Sequence, residues 1–307
     1  MANSSEERDK MGHHNHSSVK NIKTAFFLNF SFTIIEIIGG LLTNSMAILS
    51  DALHDLGDSL SLGISWYLQK KSNRKGSNAT FSFGYRRFSL LGALINSIIL
   101  IGGSLFILTQ AVPRLLNPEP VQASGMMVLA ILGVLVNGAA VFKLRSGKSM
   151  NEKVVTWHLL EDVLGWVAVL IVSIVLMFKN IPILDPILSV MITLYVLVNV
   201  IKNLKKTLMI FLDAVPEGVD LKEIKSKIVA LPGIISTHHT HLWSLDGEQH
   251  VLSTHIVVEE SLDKAEIIHI KERIQEFVEE LHLEHLTIQV DYQDERCLMA
   301  ESSVDDR

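Results

Sequence analysis

Asn44-Ser-Met-Ala-Ile-Leu-Ser-Asp51-Ala-Leu-His54-Asp55-Leu-Gly-Asp58 carries four ionisable side chains inside a stretch that otherwise reads as a membrane-spanning helix. At 100° per residue, Asp51, His54, Asp55 and Asp58 fall within one arc of roughly 100°. Four such groups on one helical face cannot all meet hydrocarbon, where a charged side chain is costly and marks an ion path or a binding site. The three carboxylates need a compensating charge. Imidazole and carboxylate together suit a divalent metal, zinc above all. The arc offers four candidate ligands and by itself selects none of them.

A second stretch repeats the pattern. In Thr156-Trp-His158-Leu-Leu-Glu161-Asp162, His158 and Asp162 have the same four-residue spacing as His54 and Asp58. Four residues are about one helical turn, a rise of roughly 6 Å, so each pair projects from one face. One pair is a weak signal; two pairs on two separate spans point to a tetrahedral site assembled where those spans face each other near mid-membrane.

The surrounding composition supports spans. The chain has 307 residues, 48% of them hydrophobic, with a positive mean hydropathy. A bilayer crossing needs about 20 predominantly apolar residues. Six such stretches occur, at roughly 22–42, 46–68, 88–110, 122–143, 154–178 and 182–203. Beyond residue 212 the pattern turns charged and soluble. The expected organisation is an N-terminal tail over 1–20, a six-span membrane domain over 21–211, a soluble domain over 212–295 and a flexible C-terminal tail over 296–307.

Lys and Arg mark alternate connections. Lys20 and Lys23 precede the first span, and Lys70, Lys71, Arg74, Lys75, Arg86 and Arg87 fill the second connection. Lys143, Arg145, Lys148 and Lys153 fill the fourth, and Lys202, Lys205 and Lys206 follow the sixth, whereas the odd connections hold Arg114 and Lys179. The positive-inside rule then predicts both termini in the cytoplasm. The first 20 residues lack an apolar run, so no cleavable signal peptide is expected. With one cysteine, Cys297, no intrachain disulfide can form. A net charge of −6 without a large basic patch argues against nucleic acid as a partner.

Other polar residues in the spans read structurally. Asn29 and Glu36 lie seven residues apart on one face of the first span and suit hydrogen bonding between helices, with a role in a proton or water path as the alternative. Phe81-Ser-Phe-Gly84-Tyr-Arg86-Arg87 suits an interfacial belt of aromatic and basic residues. Asp185-Pro186 suits a helix start.

In the tail, Asp220 precedes an amphipathic helix that ends before Pro232-Gly233. Ile234 to Leu245 and Gln249 to Val258 read as strands joined at Asp246-Gly247, Lys264 to Leu281 as a helix and Leu286 to Tyr292 as a strand. The order αββαβ predicts a small α+β layer with helices on one face of a sheet. Eight histidines lie in this tail: His238, His239, His241, His250, His255, His269, His282 and His285. They make a metal site plausible without choosing its ligands. His13, His14 and His16 form a short tract at the other end.

The stretch from Asn44 to Asp58 resembles the second-span motif of the cation diffusion facilitator family. Phe83-Gly-Tyr-Arg86 and Trp157-His-Leu-Leu-Glu-Asp162 fit its later motifs, and His241-Leu-Trp-Ser-Leu245 fits its cytosolic domain. The resemblance covers about residues 20–295 and is strongest to the bacterial heavy-metal-resistance branch. It implies a homodimer of six-span subunits in the plasma (inner) membrane, each with a ferredoxin-like cytosolic domain. It also implies export of cytosolic zinc in exchange for protons by alternating access, with cadmium and cobalt as secondary substrates. Carried over residue by residue, the family's transport ligands are His54, Asp58, His158 and Asp162, with an Asp51–Asp55 pair as the alternative. Its cytosolic ligands are His238, His255 and Asp291, with His269 reaching a second metal, and zinc there would be a regulatory ligand. Gln289 stands where some members have histidine, which weighs against a binuclear centre.

The chemistry implied is consistent. Two neutral histidines and two carboxylates bring −2 to a +2 ion, which lowers the cost of holding it away from water. The same ligands bind protons, so metal and protons compete for them. An intramembrane metalloprotease would need a motif such as His-Glu-x-x-His, which the chain lacks, so no enzyme activity is expected. A metal sensor would bind without flux, and a passive channel would lack dependence on a proton gradient.

Overall fold

The structure is a computed structural model that describes residues 26–72, 78–144 and 150–295. The two tails expected at 1–20 and 296–307, with the His13–His16 tract and Cys297, lie outside the described residues. Six long helices come first: α1 (Phe26–Thr43), α2 (Met46–Ser72), α3 (Phe88–Leu116), α4 (Ala123–Leu144), α5 (Met150–Phe178) and α6 (Leu184–Phe211). Among the described residues, five of them are long and apolar enough to cross a membrane. The other is α2, 27 residues long, whose Asp51, Asp55 and Asp58 lower its apolar character. Helices α3 and α6 run further than the apolar runs suggest, to Leu116 and Phe211. Pro113 sits inside the last turn of α3 without ending the helix.

The chain divides into two compact units. Among the described residues, one takes those up to Thr80 and from Gly92 to Leu204; the other takes Phe81–Leu91 and those from Lys205 to Glu295. The segment before α3, separate in sequence, thus clusters with the C-terminal residues.

In the first unit, small and apolar side chains make the helix contacts. Ala47 and Ile48 of α2, Met126 and Ala130 of α4, and Trp166 and Val169 of α5 form one buried cluster. The Trp166 indole lies where a Cβ on Gly133 would be, so α4 can approach α5 this closely only with glycine at 133. Helix α2 meets α6 through hydroxyls: Ser50 Oγ lies 2.6 Å from Ser189 Oγ, and Thr193 donates to Ser50 at 3.1 Å. Large apolar side chains face outward along α1, α3, α4 and α6, including Leu28, Leu42, Phe106, Val128, Leu135 and Met191. That outward apolar shell is what a lipid-facing bundle requires.

The second unit has the order α7 (Leu221–Val229), β1 (Ile234–Ser244), β2 (His250–Val258), α8 (Lys264–Phe277), a 3₁₀ turn (Glu279–Leu281) and β3 (Leu283–Tyr292). The expected αββαβ order is therefore present. The sheet order is β1-β2-β3, with β1 antiparallel to β2 and β2 parallel to β3. Asp220 caps α7 by accepting from Lys222 N. Asp263 and Glu266 form a capping box on α8. Ile224 and Ile228 of α7 and Ile270 and Ile274 of α8 pack on Leu242, Leu252, Ile256 and Val258 of the sheet.

Three boundaries differ from the sequence expectation. The loop between β1 and β2 is longer than a two-residue turn because the Asp246 carboxylate accepts from both Glu248 N and Gln249 N. The second helix stops at Phe277, and His282 adopts a left-handed backbone at φ 49°. Strand β3 consequently begins at Leu283 rather than Leu286.

Candidate metal centres

In the first unit, α2 and α5 bring the His54–Asp58 pair towards Asp162. His54 Nε2 lies 3.8 Å from Asp58 Oδ2 on its own helix and 3.7 Å from Asp162 Oδ1 on α5. Both distances are longer than a direct hydrogen bond. Asp162 is 11% exposed, against 27% for His54 and 32% for Asp58. His158 belongs to α5, one turn before Asp162, and its side chain lies outside the described residues. Asp51 and Asp55 are buried, 6% and 5% exposed, deeper than His54 and Asp58. Asp51 packs beside Gly165 of α5, whose missing side chain leaves room for its carboxylate.

Helix α1 completes this polar interior. Asn29 donates to the Asp55 carbonyl at 3.1 Å and to Ser59 Oγ at 3.0 Å, as its interhelical reading anticipates. Glu36 is wholly buried, on the side of α1 that faces Asp55, Asp51 and Asp162. The seven-residue spacing from Asn29 was the only sequence signal that it faces inward.

In the second unit, strand register builds a compact ligand set. His238 pairs with His255 across β1 and β2, and His255 pairs with Gln289 of β3. Asp291 lies two residues beyond Gln289, on the same face and diagonal to His255. One ligand atom from each of His238, His255 and Asp291 lies within 4.8 Å of the others. His255 Nδ1 is 3.0 Å and His238 Nε2 3.2 Å from Asp291 Oδ2. Gln289 Nε2 donates to Asp291 Oδ1 at 2.9 Å, orienting the carboxylate from the side away from the histidines. His269 stands on α8, 68% exposed and 3.8 Å from Glu272, outside that group of three.

The electrostatics suit a cation. Burial and the neighbouring His255 hold the His238 pKa below its ordinary value, against the pull of Asp291. Burial alone would raise Asp291, but hydrogen bonds from Gln289 and His255 bring it below the usual carboxylate value. A neutral imidazole and an ionised carboxylate are the forms that bind metal.

The segment before α3 also contributes to the second unit. Arg86 reaches Glu284 at 3.1 Å and Asp246 at 3.4 Å, Arg87 pairs with Asp213, and the Phe83 ring lies edge-on to His285 with centroids 6.1 Å apart. The aromatic-basic composition suggested an interfacial belt; its specific partners are distant in sequence and carry no local signal.

Comparison with known proteins gives a consistent picture. Residues 22–212 match the family described as cation efflux transmembrane domain, and residues 216–293 the one described as cation efflux protein, cytoplasmic domain. The cadmium, cobalt and zinc/H(+)-K(+) antiporter of Bacillus subtilis is 34% identical over 285 residues, 91% of either chain. The metal cation efflux system protein CzcD of Cupriavidus metallidurans is 34% identical, across 91% of this chain and 89% of its own. The zinc transporter ZitB of Escherichia coli is 30% identical, across 90% and 88%. The solved metal-bound C-terminal domain of the CzcD transporter is 28% identical over 24% of this chain and 99% of its own, with a TM-score of 0.21.

Proposed function

Because this chain belongs to the cation efflux family, we propose that it exports cytosolic zinc in exchange for protons, with cadmium and cobalt as secondary substrates. The observation that carries this reading is the approach of His54 on α2 to Asp162 on α5, at 3.7 Å across two helices that each also carry the other member of a four-residue pair. His54, Asp58, His158 and Asp162 would hold the ion. The relatives' names supply the metals and the proton.

The physics of the site supports exchange rather than passive flow. The loaded site carries two carboxylates against one divalent ion, so it is close to neutral in a low-dielectric interior. Emptied, it retains two negative charges beside two imidazoles, and protons are the natural replacement. Opening to a proton-rich side favours release of metal, and opening to neutral cytosol favours release of protons. Alternating access of helix groups about the site couples the two. Tetrahedral imidazole and carboxylate ligands select zinc and its mimics over magnesium and calcium, which prefer six or more oxygens.

The remaining parts follow from the same reading. Residues 21–211 form the transport domain and 212–295 the metal-binding and dimerisation domain, and the protein works as a homodimer in the plasma membrane with both termini cytoplasmic. Binding of zinc at His238, His255 and Asp291 regulates flux. The protein transports and has no enzyme activity. The decisive test is zinc uptake into proteoliposomes containing only this protein under an imposed pH gradient. Uptake that rises and falls with the gradient is expected. Binding without flux would make it a sensor, and flux indifferent to the gradient would make it a channel.

A further inference from the structure

Resting on the reading of the C-terminal unit as a metal-binding domain, we infer that His239 is a fourth ligand of its site, completing a tetrahedron with His238, His255 and Asp291. Consecutive residues of a strand point to opposite faces, so His238 and His239 should be unable to share a site. A β-bulge removes that obstacle. His238 pairs with His255 and His241 with Ser253, so β1 spends one more residue than β2 over this interval. His239 takes up the excess with a left-handed backbone, φ 46°, a conformation uncommon for a residue with a Cβ.

Three hydroxyls hold the bulge from the opposite face. Thr237 Oγ1 lies 2.9 Å from Thr254 Oγ1 and 3.2 Å from Thr240 Oγ1, and Thr240 lies 2.8 Å from Thr254. Thr237 also donates to the His255 carbonyl at 2.7 Å. Thr237 and Thr240 therefore share a face although three residues apart. The two residues between them, His238 and His239, are left together on the other face, beside His255.

The rings have the spacing of a ligand set. Centroids are 5.3 Å apart for His238 and His239, 5.1 Å for His238 and His255, and 5.4 Å for His239 and His255. With Zn–N bonds of about 2.0–2.1 Å, imidazoles at the corners of a tetrahedron have centroids about 5.2 Å apart. His239 Nε2 is buried and has no hydrogen-bond partner. It stands outside the triangle of ligand atoms formed by the other three, so binding draws its ring inward by a side-chain rotation. Three imidazoles and one carboxylate leave a closed, four-coordinate site, the form taken by structural rather than exchanging zinc.

The test uses the full-length protein in detergent, with Asp58→Ala and Asp162→Ala removing the membrane site and His13, His14 and His16 changed to alanine. Cobalt(II) alone is the probe, because its visible absorption is intense in tetrahedral and weak in octahedral coordination. The background protein is expected to bind one ion per chain with intense bands. His239→Gly suits the left-handed backbone, so the unit should keep its fold. It should weaken cobalt binding by about tenfold or more and lose the intense bands. Unchanged affinity and spectrum in His239→Gly overturn the fourth ligand while leaving the three-residue site standing. No cobalt bound by the background protein overturns the three-residue site, and the fourth ligand with it.

Discussion

Asp185 of α6 accepts the backbone N–H of Met46, in the first turn of α2, at 2.7 Å. Its other oxygen takes Ser45 Oγ and the N–H of Ala47. A residue that looks like the start of its own helix is thus also the cap of another, 139 positions earlier. Helix N-termini present unpaired N–H groups, and in a bilayer nothing else would satisfy them. The helix so fixed is the one that carries His54 and Asp58.

Asp185→Ala should therefore destabilise the protein by about 2–4 kcal/mol, because it strips charge-assisted bonds from buried donors. Asp185→Asn, which keeps acceptor capacity, should cost less. Thermal unfolding in detergent reads both, and equal melting temperatures for wild type and Asp185→Ala would remove the capping role.

Asp162→Ala should reduce zinc transport in proteoliposomes by about two orders of magnitude, since losing a ligand exceeds the 10–100-fold typical of a supporting residue. Size-exclusion behaviour should be unchanged. Wild-type-like uptake would rule out the site built from the four-residue pairs. The same measurement on Asp51→Ala and Asp55→Ala separates the alternative pair, which should retain measurable transport.

Gly133→Val should destabilise the bundle by about 1–3 kcal/mol. Its side chain would have to occupy the space of the Trp166 indole, which is buried between α4 and α5. Gly138, on the same helix, has open space where a Cβ would stand. Gly138→Ala is the control and should leave the melting temperature within error. Matching losses in the two variants would mean that the close approach of Trp166 to residue 133 does not set the effect, since alanine improves helix propensity at 138.

The metal-free C-terminal unit should lose stability in acid. His238 is held below its ordinary value of 6.5, so the unfolded chain takes up this proton first. The contribution is complete above pH 6.5 and declines as pH falls through the folded value. His250, depressed mainly by burial, acts in the same window. Asp291, held below 3.8, adds a second loss at lower pH. Hydrogen exchange of peptides covering β1 and β2, in the presence of a chelator, should show less protection at pH 5.5 than at pH 7.5. Added zinc should raise it further at pH 7.5. Protection that rises on acidification would contradict the depressed histidines.

Arg86→Ala should lower stability by about 0.2–1 kcal/mol, because its bridges to Asp246 and Glu284 are partly exposed and screened. A shift in melting temperature that vanishes at high salt is the expected signature. An equal shift at all ionic strengths would mean that packing of the arginine stem dominates.

Much was legible from local pattern. Helical periodicity put His54 with Asp58 and His158 with Asp162 because partners one turn apart need no tertiary information. The αββαβ order could be read because caps and turns act within a few residues, as at Asp220 and Asp263. The extra length of α3 and α6 and the early start of β3 were not, since pairing and packing carry an element past the end of its own pattern.

By itself, then, the sequence determined which residue types stand where along each helix and strand: imidazoles and carboxylates on long apolar helices, an alternating apolar face on the sheet, charge on alternate connections. Only the tertiary structure decided which of them meet. His54 reaches Asp162, Asp185 caps α2, Arg86 joins the C-terminal unit, and a bulge turns His239 to the same side as His238. The physical reason is range. Periodicity reports a residue's own backbone, whereas a ligand set, a borrowed cap or a bulge depends on the register and approach of a second element distant in the chain, and no local pattern encodes that distance.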